Sequence, residues 1–215
     1  MPLPIVPANS AADSGNDNGL FGYGYVQSPA SWLSVSNKVA NTGVVATDTT
    51  GVGTGRRELA ACEYGGDKGI FGYGFNSPAA PPGFMAMTNL VSNTGVIGTD
   101  VTGVGDDRRM LAACEYGDDK GIMAFGAVVT SGDDISTSNL VSNSGVVASD
   151  VTGVGTVRNY LAACGYGYDK GIFAYGYDDS PDVVSMSNLV SNVGVVATDV
   201  SGVGTARTGT ACSFN

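Results

Sequence analysis

One segment recurs four times in the chain, and its second copy is Asn89-Leu-Val-Ser-Asn-Thr-Gly-Val-Ile-Gly-Thr-Asp-Val-Thr-Gly-Val-Gly105. The closing Gly-Val-Gly begins at Gly51, Gly103, Gly153 and Gly202, so successive copies are 52, 50 and 49 residues apart. Cysteines recur with nearly the same period, at Cys62, Cys114, Cys164 and Cys212. The chain of 215 residues therefore contains four copies of one unit of about 50 residues.

Each unit predicts four short β-strands. In the second copy these are the apolar run 59–64, the alternating run 69–75, and the runs 87–92 and 96–99. The last two flank an Asn-Thr-Gly turn, in which glycine supplies the positive φ of a hairpin. In the run 69–75 we expect glycines on one face and aromatic rings on the other. The rings of one sheet should then fill the space beside the glycines of the next and be buried there.

Repeated four-stranded sheets of this length predict an all-β fold, a four-bladed β-propeller. Three blades are continuous in sequence. The fourth is composite, because 18–50 holds only second to fourth strands and 206–215 holds only a first strand. Pairing of these N- and C-terminal segments would close the ring into one domain, 18–215. The expected blades are 18–50 plus 206–215, 56–100, 108–150 and 158–199.

Composition excludes several classes of site. The chain has no histidine, which removes Ser-His-Asp and Cys-His nucleophiles and histidine-based zinc or copper centres. Twenty Asp and Glu against ten Lys and Arg give a formal charge of −10, the wrong sign for nucleic acid or an anionic membrane surface. No apolar run reaches the ~20 residues that a spanning helix needs. We expect no nucleic-acid partner, no membrane insertion and no cofactor.

Cysteine, arginine and aspartate each recur once per unit. The cysteines lie in the predicted innermost strand, where crowding favours small residues; free thiols fit best, with disulfides or a metal site as alternatives. Arginine precedes that strand and aspartate follows the fourth, which predicts Arg–Asp pairs between blades or, alternatively, a ring of calcium ligands. We expect no metal. The positions are Arg56, Arg108, Arg158 and Arg207, with Asp48, Asp100, Asp150 and Asp199.

The connections between the second and third strands differ from unit to unit, and all emerge on one rim of a propeller. Two carry aromatic or apolar residues, and two are acidic. Such a rim can stack on and hydrogen-bond a sugar, or dock a protein. The candidate binding residues are Trp32, Phe84, Met85, Asp133, Asp134, Asp178, Asp179 and Asp182.

Segment 1–17 precedes the repeats and is predicted to be an extended arm. We expect its apolar part to dock on another subunit. It lacks the basic residues and the unbroken apolar run of a signal peptide, so we expect synthesis in a cytoplasm. The docking residues are Pro2, Leu3, Pro4, Ile5, Val6 and Pro7.

The order of a small apolar strand, a Gly-Asp-Lys turn, the strand Ile70-Phe-Gly-Tyr-Gly74 and an Asn-marked hairpin resembles kelch-type β-propeller repeats. Paired glycines after the second strand and a late tryptophan, both usual in kelch units, are missing. The motifs Asn-Leu-Val-Ser-Asn-Thr-Gly-Val and Thr-Asp-Val-Thr-Gly-Val-Gly are similar to repeats in structural proteins of tailed bacteriophages. That resemblance covers 18–215 and implies a virion component.

The function we expect is a non-enzymatic structural or attachment protein of a virion, in a tail, fibre or capsid surface. Its partners would be other virion proteins, further copies of itself or a host-surface glycan. One alternative is a carbohydrate-binding adhesin or lectin. Another is a hydrolase or lyase that uses adjacent loop carboxylates, although no sequence pattern marks a carboxyl group with a raised pKa.

Overall fold

The computed structural model describes residues 18–77, 83–128, 133–180 and 182–212. The regular secondary structure in that part of the chain consists of β-strands. The all-β prediction is confirmed. No helix long and apolar enough to cross a membrane is found among these residues. The strands are β1 (Gly19–Gln27), β2 (Ala30–Val39), β3 (Ala60–Tyr64), β4 (Lys68–Gly72), β5 (Thr88–Val91), β6 (Arg108–Arg109), β7 (Ala112–Tyr116), β8 (Lys120–Ala124), β9 (Ala127–Val128), β10 (Ser138–Val141), β11 (Ala162–Tyr166), β12 (Lys170–Ala174) and β13 (Ser187–Val190).

Three sheets share one antiparallel order, and we refer to them as the second, third and fourth repeats. They are β3-β4-β5, β7-β8-β10 and β11-β12-β13, each with its second strand in the middle. The first repeat is the two-stranded sheet β1-β2, and β6 pairs with β9 in a short ribbon. The register also repeats, because a cysteine of the first strand faces an isoleucine of the second. These pairs are Cys62 with Ile70, Cys114 with Ile122 and Cys164 with Ile172.

The predicted fourth strand of each unit is reduced to isolated bridges. In the second repeat, segment 97–101 pairs with β5 only at its two ends. The side chain of Asn89 lies between them, where its Nδ2 donates to the carbonyl of Gly98 at 3.0 Å and to Oδ1 of Asp100 at 2.9 Å. A side-chain amide therefore takes the place that a backbone partner has in a continuous strand.

The second strand alternates over a shorter distance than predicted. Tyr73 has a φ of 63°, and the equivalent residues of the other repeats also have positive φ. This left-handed residue ends the regular strand at Gly72 and reverses the direction of the side chain. Phe71 therefore packs with Tyr23 of the first repeat, whereas Tyr73 packs with Met123 of the third. The prediction that the aromatic residues of this run share one face is wrong for this reason.

Glycines of one repeat make room for bulky side chains of the next, as predicted. A methyl group on Gly22 would lie 2.9 Å from Cζ of Phe71, and one on Gly72 would lie 2.6 Å from Sδ of Met123. Each buried cluster joins two neighbouring repeats, so the core lies in the interfaces between repeats. Burying a side chain of this size there contributes about 1.5–3 kcal/mol. The prediction that the rings are buried is confirmed for Tyr73, Phe125 and Phe173, which are 0% exposed, and is wrong for Phe21, which is 64% exposed.

A buried polar network repeats at the interfaces. Arg108 is 0% exposed, its guanidinium lies 4.2 Å from the ring centroid of Tyr73, and its Nη2 donates to Oδ1 of Asn139. The predicted Arg–Asp pairing between blades is wrong, because Arg108 and Asp150 both lie in the expected blade 108–150, and their contact is long, with 3.9 Å between Nη1 of Arg108 and Oδ1 of Asp150. Asparagine, which the sequence analysis did not single out, makes the shorter contact and joins the two charged groups, because its Nδ2 also donates to Asp150.

The repeats pack in chain order. β3 contacts β7, β7 contacts β11, and the first repeat lies against the second. Among the described residues β1 pairs with β2 alone, and the final segment 205–212 is bonded to the fourth repeat. Closure of the series into a ring therefore stays a prediction.

Candidate binding rim

The candidate site is the rim where each second strand runs out into its connection to the third strand. There each repeat sets two residues opposite each other on the backbone: Tyr25 and Trp32, Phe75 and Phe84, Ala127 and Asp134, and Tyr177 and Val183. A further rim position follows each interior arginine and holds Arg57, Arg109, Asn159 and Thr208. Equivalent backbone positions thus carry different chemistry in different repeats.

The first half of the rim is aromatic and cationic. The ring centroids of Tyr25 and Trp32 are 5.1 Å apart, and those of Phe75 and Phe84 are 5.6 Å apart. Aromatic pairs at these distances hold each other in fixed orientations. Together with two arginines they form what we call the aromatic–arginine sector: Tyr25, Trp32, Arg57, Phe75, Phe84 and Arg109.

The two arginines of this sector stack on its rings. The guanidinium of Arg109 lies 4.8 Å from the centroid of Phe84, and that of Arg57 lies 4.7 Å from Tyr25. Glu58 lies between them, with its carboxylate 3.0 Å from Nη1 of Arg109 and 3.2 Å from Nε of Arg57. One carboxylate serves two guanidiniums with five N–H donors each, so the sector retains donors for a planar acidic group.

The second half of the rim is acidic. Asp134 is 7% exposed, its backbone N–H donates to Oδ1 of Asp179 at 3.1 Å, and its Oδ1 accepts a 2.7 Å bond from Nδ2 of Asn159. The connections of the third and fourth repeats are therefore joined. Asp178 instead caps its own loop, where its Oδ1 accepts the backbone N–H of Asp182 at 3.1 Å. We call Asp133, Asp134, Asn159, Asp178, Asp179 and Asp182 the acidic sector.

Burial raises the pKa of Asp134 to about 6. The hydrogen bond from Asn159 acts in the opposite direction, and the charges of Asp179 and Asp178 add to the increase. This carboxyl group therefore changes its charge in the mildly acidic range. Because it is nearly fully buried and hydrogen-bonded to Asn159, its position suits a group that joins two loops.

The predicted site residues divide between the sectors. The structure places Trp32 and Phe84 in the aromatic–arginine sector and all five predicted aspartates in the acidic one. Met85 follows Phe84, but its backbone pairs with Arg108, so it belongs to the sheet edge. The arm residues, Pro2, Leu3, Pro4, Ile5, Val6 and Pro7, lie outside the described residues.

Sequence reasoning missed the cationic part of the rim. The signal was the doublet Arg56-Arg57, repeated at 108–109, which becomes Arg158-Asn159 in the next copy and Arg207-Thr208 after it. The first residue of each doublet is architectural because it recurs in every copy, whereas the second changes. That change from arginine to asparagine coincides with the change from aromatic to acidic connections.

The first strands β3, β7 and β11 line a shared cavity of about 990 Å³. Cys164 and Cys212 form a disulfide there, so the preference for four free thiols is wrong for this pair. Cys62 and Cys114 are free, and burial raises the pKa of Cys114 to about 12, which disfavours a metal-binding thiolate. In the described part of the chain no group of three or more acidic or cysteine side chains is placed to hold a metal ion.

Comparison with known proteins gives no match, either to a family model or to a curated protein.

Proposed function

We propose that the chain is a non-enzymatic interaction module, a four-bladed β-propeller whose rim binds neighbouring subunits of a virion. The virion setting rests on the resemblance of the repeats to structural proteins of tailed bacteriophages. The interaction role rests on the rim, which combines stacked arginines, aromatic rings and buried carboxyl chemistry on one rigid edge.

The spacing of the repeats supports a ring. At their inner edge they are joined by backbone bonds from Met110 N to Glu58 O at 2.9 Å, from Tyr160 N to Met110 O at 3.0 Å, and from Gly209 N to Tyr160 O at 3.3 Å. Strands bonded in this way lie about 4.8 Å apart, whereas sheets packed face to face lie about 10 Å apart. Repeats that are closer inside than outside fan around an axis. The same four residues line one cavity of about 250 Å³, as equivalent positions around a propeller axis would.

The observation that carries the interaction role is the contrast between interior and rim. The interior Arg–Asn pair recurs at three interfaces with the same residue types, as Arg56–Asn89, Arg108–Asn139 and Arg158–Asn188. The rim changes from Phe84–Arg109 to Asp134–Asn159 at equivalent backbone positions. Since the backbone is the same, the fold does not require the change, and contact with a partner explains it.

The two sectors define the partner. Stacked guanidiniums bind carboxylates, and exposed aspartates such as Asp179 and Asp182 bind basic groups. Arginine and aromatic residues are also the types that dominate the energy of protein interfaces. A protein surface that sets an acidic patch beside a basic one fits both sectors, whereas a neutral glycan would use only the rings. We therefore favour a virion protein over a host glycan as the partner.

Quantitative mass spectrometry of purified particles tests the virion role. We expect the chain at a fixed copy number that persists through a density gradient. A trace amount that falls with each purification step would contradict the proposal.

A rim variant tests the interaction role. Arg57→Ser with Arg109→Ser should fold with an unchanged circular dichroism spectrum but be lost from particles. Lys120→Ser removes a cation at the start of β8, at the end of the strand opposite the rim. This control variant should be incorporated into particles at the parent copy number. Retention of both proteins at equal copy number would refute a binding role for the rim.

A further inference from the structure

A groove of about 570 Å³ runs along β1, between the first and second repeats. Much of its lining is apolar, from Gly19, Leu20, Val39, Ile70, Phe71 and Val91. In the second repeat the corresponding space beside β4 is filled by β3, which pairs with β4 and packs on β7 and β8. The groove therefore has the position of a first strand.

We propose that residues 210–212 belong to this strand and occupy the groove, pairing with β1. The inference rests on the ring proposed above and assigns the residues that close it. The segment Ala211-Cys-Ser-Phe214 matches Ala61-Cys-Glu-Tyr64 of β3, and Gly19-Leu-Phe-Gly22 of β1 matches Gly69-Ile-Phe-Gly72 of β4. Because Cys62 lies opposite Ile70, the register sets Cys212 opposite Leu20.

The glycines of the second strands mark where the cysteine packs. A methyl group on Gly121 would lie 2.6 Å from Sγ of Cys62, and one on Gly171 would lie 2.6 Å from Sγ of Cys114. On Gly69 the nearest atom to such a methyl group is instead Cβ of Val91, at 3.6 Å. A strand in the groove brings the sulfur of Cys212 to Gly69 and completes this series.

A second series of contacts also lacks its fourth member. At three interfaces a backbone N–H donates to an aspartate of the next repeat: Thr54 to Asp100 at 3.0 Å, Asp106 to Asp150 at 3.1 Å and Thr156 to Asp199 at 2.9 Å. The fourth combination would be Thr205 with Asp48. Both residues are exposed, and they lie at opposite ends of the series of repeats.

The interior arginines give a third series. Arg56, Arg108 and Arg158 are 0% exposed, and each donates to an asparagine of the repeat that follows it in the chain. Arg207 stacks on Tyr175 at 3.9 Å as the others stack on their rings, yet it is exposed. Its equivalent acceptor is Asn37 of the first repeat.

Apolar contacts repeat the pattern. Leu90 covers Gly145 and Leu140 covers Gly194, at 2.8 and 2.9 Å from a methyl group on each glycine. Leu189 is 37% exposed, and a methyl group on Gly43 would meet nothing within 4 Å. The exposed ring of Phe21 is likewise the equivalent of Phe71, which packs on Tyr23. Apart from the contact of Cys212 with Gly69 of the second repeat, each unmade contact has one half in the fourth repeat or the segment after it and the other half in the first repeat.

The segment of the same chain is the occupant, rather than a second copy. Residues 209–210 line the cavity of about 250 Å³ together with Glu58 and Leu59. Cys212 lines the cavity of about 990 Å³ together with Ala61 and Cys62. Residues 61 and 62 also line the groove. The segment therefore already lies on the axis side of the second repeat, beside the groove that it fills.

Disulfide trapping in the full chain tests the proposal. Leu20→Cys combined with Cys164→Ser leaves Cys212 free to react with a thiol at position 20. Mild oxidation should then join positions 20 and 212 within most monomers, as shown by peptide mapping and non-reducing electrophoresis. Phe21→Cys with Cys164→Ser is the matched control, because residue 21 points to the other face of β1 and should not be joined to Cys212.

A link between two chains would overturn the proposal in favour of a second copy, and the absence of any link at position 20 would overturn it outright. Hydrogen exchange of the unmodified chain gives a second measurement. Residues 19–22 should exchange as slowly as 69–72, and rapid exchange at 19–22 alone would contradict a strand in the groove. Loss of the chain from particles with the 20–212 link intact would instead refute the proposed function.

Discussion

The second and third repeats place opposite chemistry on the same backbone. Phe75 and Phe84 face each other in one, under the guanidinium of Arg109, and Ala127 and Asp134 face each other in the other, where Asn159 donates to Asp134. The interior behind both is unchanged. The residues that hold the repeats together are therefore distinct from those that define the rim.

The two sectors also differ in what they contribute to stability. An arginine stacked on aromatic rings contributes about 0.5–1 kcal/mol at a partly exposed site. A buried carboxyl group whose pKa rises to about 6 destabilises the folded chain at neutral pH. Asp134 therefore joins the two loops at a cost to stability at neutral pH.

The largest effect should come from the interior that both sectors share. Arg108→Met removes the bonds to Asn139 and to the carbonyl of Met123 and leaves Asp150 without its cation. Breaking a buried network of this kind costs about 3–5 kcal/mol. Urea denaturation followed by tryptophan fluorescence should show that loss. Lys120→Met, which also replaces a cation, should change stability by less than about 1 kcal/mol. Equal losses of stability for the two variants would contradict a stabilising role for the buried network of Arg108.

The acidic sector should show a smaller effect that depends on pH. The pKa of Asp134 is raised from 3.8 to about 6, so its stabilisation is complete below about pH 4 and is lost as the pH rises through 6. Asp134→Asn should therefore match the parent chain near pH 4 and exceed it by about 3 kcal/mol at pH 7, measured by denaturation across that range. Asp182→Asn removes the same charge from an exposed position and should give no such crossover.

The aromatic–arginine sector should show the smallest effect on stability. Arg109→Ala loses stacking on Phe84 and the ion pair with Glu58, both partly exposed, and should lower the free energy of unfolding by about 1 kcal/mol. Thermal denaturation monitored by circular dichroism measures it. A loss as large as that of Arg108→Met would place Arg109 in the core and remove it from the rim.

The repeated parts of the fold were predictable from one sequence because the four copies of the unit can be compared with one another. The period, the turns and the fit of glycine against bulky side chains follow from positions that recur. The positive φ of Tyr73 was not predictable, because tertiary packing holds a non-glycine residue there against its local preference. The role of Asn89 was not predictable either. Its side chain replaces a strand partner through hydrogen bonds to residues 9 and 11 positions further along the chain.

The site was predictable only in part. Differences between connections pointed to Trp32, Phe84 and the aspartates, because variation within a repeated framework marks positions the fold leaves free. The pairing of Asp134 with Asn159 joins two repeats across 25 positions and has no local signal. The Cys164–Cys212 disulfide likewise depends on how β11 and the segment after the fourth repeat approach each other, which spacing alone does not give.

Transferring the rim pair of the third repeat onto the second repeat separates binding from folding. Phe84→Asp with Arg109→Asn gives the second repeat the pair that the third carries, on the same backbone positions. We predict a stability within about 1–2 kcal/mol of the parent chain and at least a tenfold loss of copies per purified particle, measured by quantitative mass spectrometry. A folded variant that is incorporated at the parent copy number would contradict the claim that the rim is the binding surface.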